Sequence, residues 1–383
     1  MLMKIALFTD VYKICGVSKM IYHLVKYCEK NRIDITVFMV SPKEKIKTVG
    51  KLNSGKNVKI IRLKTRFSFE IYPDLFLDLS YRNTKKIEEE FEKTDFDVII
   101  SPTPGVMGVR AVQFSKKYEI PLIFIHTTRI PEYAAIYAEK AFGLKLFEDS
   151  LRELMWSFMK FFYENSTLVL ATTPEMKQEL KERVDIPVEI YSRGVDSRKF
   201  SPNFRKEHGK VRLIHVGRIS AEKNLDMMVE VLEKEILPDY DDVEVQIIGD
   251  GPYIEKLVDE FPAADYTGFL TDRKLSEAFA SGDIFLFPSL SETFGQVVLE
   301  AMASGLPVVA MDSEVLRDKI KEGETGFLCK SKKGFAEKIR FLIENPDKRK
   351  EMGKKAVEEA KKCSWDGVNS RLMEIVKKVM EKT

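Results

Sequence analysis

Four cysteines among 383 residues, Cys15, Cys28, Cys329 and Cys363, stand far apart, with no CxxC pair and no neighbouring histidine. That spacing supports neither a disulfide framework nor a zinc site and implies free thiols in a reducing compartment. No stretch approaches the ~20 apolar residues of a membrane span. The first apolar run ends at Thr9-Asp10. It is short for a secretory signal and lacks a small-residue cleavage site, so it suits a buried first strand and a cytoplasmic protein. An excess of one charge is missing as well: 62 Lys and Arg face 60 Asp and Glu, a net charge of +2. The chain as a whole is therefore not a general nucleic-acid binder, and any electrostatic partner is met by a local patch. A dinucleotide-dependent oxidoreductase needs Gly-x-Gly-x-x-Gly after a strand. The nearest candidate, Gly249-Asp-Gly251-Pro-Tyr-Ile254, has Ile where the third glycine belongs.

What is present is alternation. Short β-rich apolar runs at 4–9, 34–40, 58–63, 96–101, 122–125 and 167–171 are separated by helical patterns at 18–29, 85–92 and 108–117. A second series follows, with strands at 212–216, 243–248, 284–288, 307–310 and 326–329. Between them lie helices at 225–234, 254–260, 272–280, 295–303 and 334–344. Apolar strands alternating with helices imply parallel sheets covered on both faces. Two such series in a chain too long for one ordinary core predict two doubly wound α/β domains. The break falls near Tyr191–Asp196. The division expected is 1–194 with 365–383, and 195–364. Two such domains facing each other would make a cleft with ligands at the strands' carboxyl ends. The tail from Asp347 reads as two helices broken near Cys363-Ser364-Trp365, the second either solvated or returned onto the first domain.

Two segments carry chemistry. Ser291-Glu292-Thr-Phe294-Gly295-Gln296-Val297-Val-Leu-Glu300 follows the strand at 284–288 and opens a helix that Gly305 and Pro307 end. A helix opening at Phe294-Gly295 turns N–H groups and the positive dipole end outward, a ready site for phosphate. Carboxylates repel phosphate, so Glu292 and Glu300 have hydroxyls as their sensible targets. Taken alone, such acids read as a capping residue and a solvated helix face. The other segment is His215-Val-Gly217-Arg218-Ile-Ser-Ala-Glu-Lys223-Asn224. A strand and a turn place two cations at the same sheet edge, ahead of a helix that Asn224 is expected to cap. Fixed cations there would stabilise a leaving diphosphate, one contact supplying about 3 kcal/mol.

Together with Ile248-Gly249-Asp-Gly251-Pro252, Phe287-Pro-Ser-Leu-Ser-Glu292 through Ala310, Arg193-Gly-Val-Asp196, Phe200-Ser-Pro202 and Ser364-Trp365, these segments closely resemble retaining glycosyltransferases of the GT-B fold, in the large family 4 group. The resemblance covers nearly the whole chain. It implies that Arg218 and Lys223, in the turn opened by Gly217, hold a nucleoside diphosphate. Glu292 would bind donor-sugar hydroxyls beside Phe294, Gly295, Gln296 and Val297, and Glu300 the ribose. The loops at Gly249–Gly251 and Gly268-Phe269 would border the nucleobase. On the first domain, Gly16 would let the backbone approach the donor phosphate. Cys15 stands where the family usually has a second glycine. His126 would lie near the reacting sugar, followed by Thr127-Thr128 where glycolipid-acting relatives often read Thr-Asp. The mechanism implied retains anomeric configuration and needs no metal or other cofactor beyond the donor, with Arg218, Lys223, Glu292 and His126 as the catalytic set.

The acceptor is the open half. Residues 43–69 carry nine cations against Glu44 alone, with Phe67, Phe69, Tyr72 and Phe76 nearby. This stretch is either a solvated Lys-rich loop or a peripheral contact with an anionic inner-membrane face. A helical stripe of Phe147, Leu151, Leu154, Met155, Phe158 and Phe162 is expected to face the core rather than a membrane. Trp156 and Ile130-Pro131-Glu132-Tyr133 resemble the branch of glycolipid mannosyl-, glucosyl- and sulfoquinovosyl-transferases, which points to a lipid-linked acceptor. A nucleotide-sugar epimerase of similar fold and a non-catalytic sugar-nucleotide-binding protein are the alternatives. The first explains Glu292 and Glu300 together less neatly, and the second is opposed by the intact set of cations and acids.

Overall fold

The computed structural model describes residues 3–10, 16–41, 52, 54–64, 70–72, 75–76, 81–127, 130–131, 148–290, 292 and 294–381. Its contacts divide into two units, Met1–Arg193 with Trp365–Thr383, and Gly194–Ser364.

The first unit holds a seven-stranded sheet of β1 (Lys4–Thr9), β2 (Asp34–Ser41), β3 (Val58–Lys64), β6 (Val98–Ser101), β7 (Leu122–Ile125), β8 (Leu168–Ala171) and β9 (Val188–Ile190). The strand order is β3-β2-β1-β6-β7-β8-β9, and each pairing is parallel. A small antiparallel pair, β4 (Glu70–Tyr72) and β5 (Leu75–Phe76), lies apart from it. Helices α1 (Gly16–Asn31), α2 (Tyr81–Phe91), α3 (Val106–Tyr118), α4 (Glu148–Glu164) and α5 (Pro174–Arg183) connect the strands. Because the sheet is covered on both faces, β1, β6, β7 and β8 are buried along nearly their whole length.

The second unit repeats the plan. Strands β10 (Val211–Val216), β11 (Val243–Ile248), β12 (Asp265–Gly268), β13 (Ile284–Phe287), β14 (Val308–Met311) and β15 (Gly326–Cys329) run parallel in the order β12-β11-β10-β13-β14-β15. Helices α6 (Leu225–Val231), α7 (Ile254–Glu260), α8 (Asp272–Ala280), α9 (Gln296–Ala303), α10 (Lys332–Glu344) and α11 (Pro346–Lys361) complete it. A π-helical turn at Leu232–Ile236 prolongs α6.

The tail helix α12 (Trp365–Met380) belongs to the first unit. It buries Trp365, Leu372, Met373, Val376 and Val379 in the same cluster as α1 and the sheet, each worth about 1.5–3 kcal/mol. The Trp365 ring stacks on His23 with centroids 4.6 Å apart, and the Tyr191 hydroxyl donates to Asn369 at 2.8 Å. Burial lifts the Tyr191 phenol well above its ordinary range, so it stays a neutral donor.

Helix α4 corrects an expectation. Its buried face is Trp156, Met159, Phe162 and Tyr163, while Leu154, Phe158 and Phe161 are 60%, 44% and 45% exposed. The expected core stripe shares only Phe162 with the buried set, and Phe147 lies outside the described residues. Two apolar stripes wind along this helix, and the tertiary fold chose the one carrying Trp156, whose ring packs against His126 and Arg183, and Tyr163, whose hydroxyl meets His126 inside. Among the described residues, no helix is long and apolar enough to cross a membrane.

Candidate functional site: the carboxyl edge of the second sheet

The order β12-β11-β10-β13-β14-β15 reverses direction between β10 and β13. Open α/β sheets bind ligands at such a switch point, where the flanking loops diverge and leave a crevice. The two loops that leave it here begin at Gly217 and Pro288. They carry Arg218 and Lys223 on one side and Glu292, Phe294 and Gly295 on the other.

The two loops are tied to each other. The Lys223 ammonium donates to Glu292 Oε1 at 2.5 Å, with both side chains 14% exposed. Lys223 ends a short 3-10 turn, Ala221–Lys223, and Asn224 follows in a left-handed conformation with φ 56°. Asn224 does not cap α6 through its side chain as expected. Its amide instead reaches across to donate to the Pro288 carbonyl at 3.1 Å. A left-handed residue swings its side chain away from the helix it precedes, and this one fastens the two loops. Arg218 is half-buried, at the turn before these residues.

Backbone contacts set the third side. Gly249 has φ 147°, and a Cβ there would overlap the Gly217 carbonyl oxygen. At Gly251 a Cβ would overlap the carbonyl of Ile219. Glycine at both positions lets the two loops zip together, Gly217 N–H to Ile248 O at 3.0 Å and Ile219 N–H to Asp250 O at 3.0 Å. The Gly249 N–H donates to the Gly268 carbonyl at 3.0 Å, which brings the end of β12 to the same edge, with Phe269 beside it 55% exposed.

Gly295 caps α9 with φ 73°, and a Cβ there would stand 2.8 Å from Leu316 Cδ2. Phe294 is buried, Gln296 and Val297 are half-buried, and the Gln296 amide donates to the Gly194 carbonyl at 2.9 Å. Glu300 is 2% exposed. That burial removes the reading of Glu300 as a solvated helix face. Below the edge, His215 is fully enclosed, and its Nδ1–H donates to the Leu286 carbonyl at 3.0 Å across β10 and β13. Burial, reinforced by the Lys223 charge, pushes its pKa down to about 4 against the opposing Leu286 bond. It is a neutral spacer beneath a cationic loop.

On the first unit the switch point lies between β1 and β6. Asp10 follows β1 there, fully buried. Its carboxylate accepts the Met107 N–H at 3.0 Å and the Thr103 hydroxyl at 2.9 Å, so it holds the start of α3. Sequence reasoning assigned Asp10 no role, although an acid closing an apolar strand is itself a signal. Gly16 opens α1 in the open, with nothing within 4 Å of where a Cβ would stand. Packing therefore does not demand glycine at 16. His126 follows β7 with no exposure, its ring parallel to Trp156 at 6.3 Å and its Nδ1 in contact with the Tyr163 hydroxyl. Cys15, Thr128, Glu132 and Tyr133 lie outside the described residues, as do most of the cations of 43–69. Of that stretch, Lys59 pairs with Glu90 at 2.6 Å and Arg62 donates to the Leu52 carbonyl at 2.7 Å. Both sit on β3, the edge of the sheet, where charge also discourages edge-to-edge pairing.

Two parallel-sheet domains, one carrying cations, carboxylates and a helix opening around its switch point, define a GT-B-type architecture. The family described as "Glycosyl transferases group 1" matches residues 196–359, and "Glycosyltransferase Family 4" matches 14–199. The two stretches together run from 14 to 359, and the chain belongs to this glycosyltransferase family. It is similar to the sulfoquinovosyl transferase SQD2 of Arabidopsis thaliana, 34% identical over 315 residues, 77% of this chain and 59% of that protein. The chain thus spans less than two-thirds of that relative. It is also similar to the alpha-monoglucosyldiacylglycerol synthase of Streptococcus pneumoniae, 25% identical over 368 residues, 90% of this chain and 79% of that one. In fold it is similar to the sucrose-phosphate synthase of Thermosynechococcus elongatus, with a TM-score of 0.78, 18% identity and full coverage of both chains.

Proposed function

We propose that this chain moves a hexose from a UDP- or GDP-linked donor to a lipid-linked or glycan acceptor, with retained configuration and no obligatory metal. The observation that carries the reading is the Lys223–Glu292 pair spanning the switch point of the second sheet. Each partner is half of a donor-binding set. The ammonium suits a diphosphate oxygen, and the carboxylate freed from it suits a sugar hydroxyl. A diphosphate arriving beside Phe294 and Gly295 replaces Glu292 as the anion on Lys223. Arg218 supplies a second cation where charge develops on the leaving group. Glu300, buried and one turn into α9, takes the ribose; Gly268 and Phe269 border the base. The relatives' names, a sulfoquinovosyl transferase and a monoglucosyldiacylglycerol synthase, support a lipid-linked acceptor. The basic stretch 43–69 then holds the protein at an anionic membrane face.

Measuring sugar release from UDP- and GDP-hexoses with Lys223→Ala and Glu292→Ala tests the reading. Turnover falls by about 10²–10³-fold if these groups serve the transition state. A loss of affinity with no turnover in the parent protein would leave a binding module instead.

A further inference from the structure

A buried cation lies under the Phe294–Gly295 loop, and no motif in the sequence points to it. Lys319 follows the 3-10 turn Glu314–Leu316 by three residues, and its side chain is 4% exposed. The ammonium donates to the Val315 carbonyl at 2.6 Å and to Asp318 Oδ1 at 2.7 Å. It stands 4.2 Å from the centroid of the Phe294 ring, itself 4% exposed. The same stretch supplies Leu316, the side chain that leaves no room for a Cβ on Gly295. Residues 313–320 are therefore the floor on which the loop rests.

An ammonium is an expensive choice for a floor. Removing it from water is unfavourable unless the new partners replace what water gave. A methionine of the same length would fill the space against Phe294 without that cost. What the charge adds is attraction to the ring face, stronger when both groups are desolvated. Attraction to the ring fixes the side chain of Phe294 and hence the backbone that continues into Gly295 and α9.

We propose that Lys319 is a positioning residue for the donor's diphosphate: it pins Phe294 from below and so holds the backbone that opens α9. The inference rests on the reading of this loop as the phosphate site. It adds a cation that touches the loop's underside rather than the ligand.

Calorimetric binding of UDP, inorganic diphosphate and uridine to the full chain, parent and variants, tests it. Lys319→Met is expected to weaken UDP and diphosphate by about tenfold, the scale of one charge-assisted contact, while uridine binding stays unchanged. Lys319→Arg, which keeps the charge, restores both. Unchanged affinity for the two phosphate ligands in Lys319→Met overturns the proposal, and so does an equal loss for uridine, which would mean a merely structural role. If Lys319→Met fails to fold, Phe294→Leu takes its place. It keeps the lysine and removes the ring face, and it must show the same selective loss; indifference to it sinks the idea. A parent protein that binds neither UDP nor diphosphate brings down the donor reading itself, and this inference with it.

Discussion

His215 makes the second unit acid-sensitive by an amount that can be worked out. Its imidazole is enclosed and neutral, with a pKa near 4 in place of the ordinary 6.5. In the unfolded chain it protonates near 6.5; in the fold it does not until about 4. A depressed histidine therefore contributes its full stability above the unfolded pKa and loses it as pH falls through the window between 6.5 and 4. The linkage relation gives a loss of about 2 kcal/mol between pH 7.5 and pH 5, rising to about 3 kcal/mol at pH 4. His215→Asn removes the titration and keeps a donor within reach of the Leu286 carbonyl. Both tryptophans, Trp156 and Trp365, lie in the first unit, so intrinsic fluorescence will not follow this event. Hydrogen exchange at the β10 and β13 amides, corrected for intrinsic rates, reports on the right unit. The parent's protection relative to the variant should shrink by about 2 kcal/mol on going from pH 7.5 to 5. Parallel pH profiles for the two proteins would refute the argument.

Gly249→Ala combines a φ of 147° with overlap onto the Gly217 carbonyl, so the two loops at the edge must part. It should cost about 3 kcal/mol in the second unit by circular-dichroism melting, and binding of UDP should weaken with it. A melting curve matching the parent's would show that the zipped loops are not required. On α4, Phe162→Ala should destabilise the first unit by about 3–5 kcal/mol in urea, whereas Leu154→Ser should stay within about 0.5 kcal/mol. Trp156 fluorescence follows both, and the reverse ranking would restore the expected stripe as the core face.

Where the physics is local, the sequence was legible. Strands β1, β7, β11 and β15 and helices α7 and α8 have the expected bounds, because β-branched or amphipathic runs end at glycine, proline or charge. Strands β9 and β12 were not expected. Val188-Glu-Ile190 and Asp265-Tyr-Thr-Gly268 are short, polar sheet edges, and half-exposed strands lack the apolar run that announces a buried one. The phase of α4 failed for the opposite reason, an excess of apolar residues on two faces. At the site, the motifs placed Arg218, Lys223, Glu292 and Gly295 on the loops of one sheet edge. The pairing of Lys223 with Glu292, the tie from Asn224 to Pro288 and the lysine under Phe294 depend on which strands are neighbours, and no local pattern encodes that.

Binding of a nucleoside-diphosphate sugar at the switch point of the second sheet can be measured without knowing the acceptor. A thermal-shift panel of UDP, GDP, ADP and their hexose conjugates tests it most directly, because a ligand that binds only the fold raises its melting temperature. UDP or GDP and the matching sugar should stabilise the protein, and Lys223→Ala should abolish the shift. No stabilisation by any of them, or an undiminished shift in Lys223→Ala, would contradict the account.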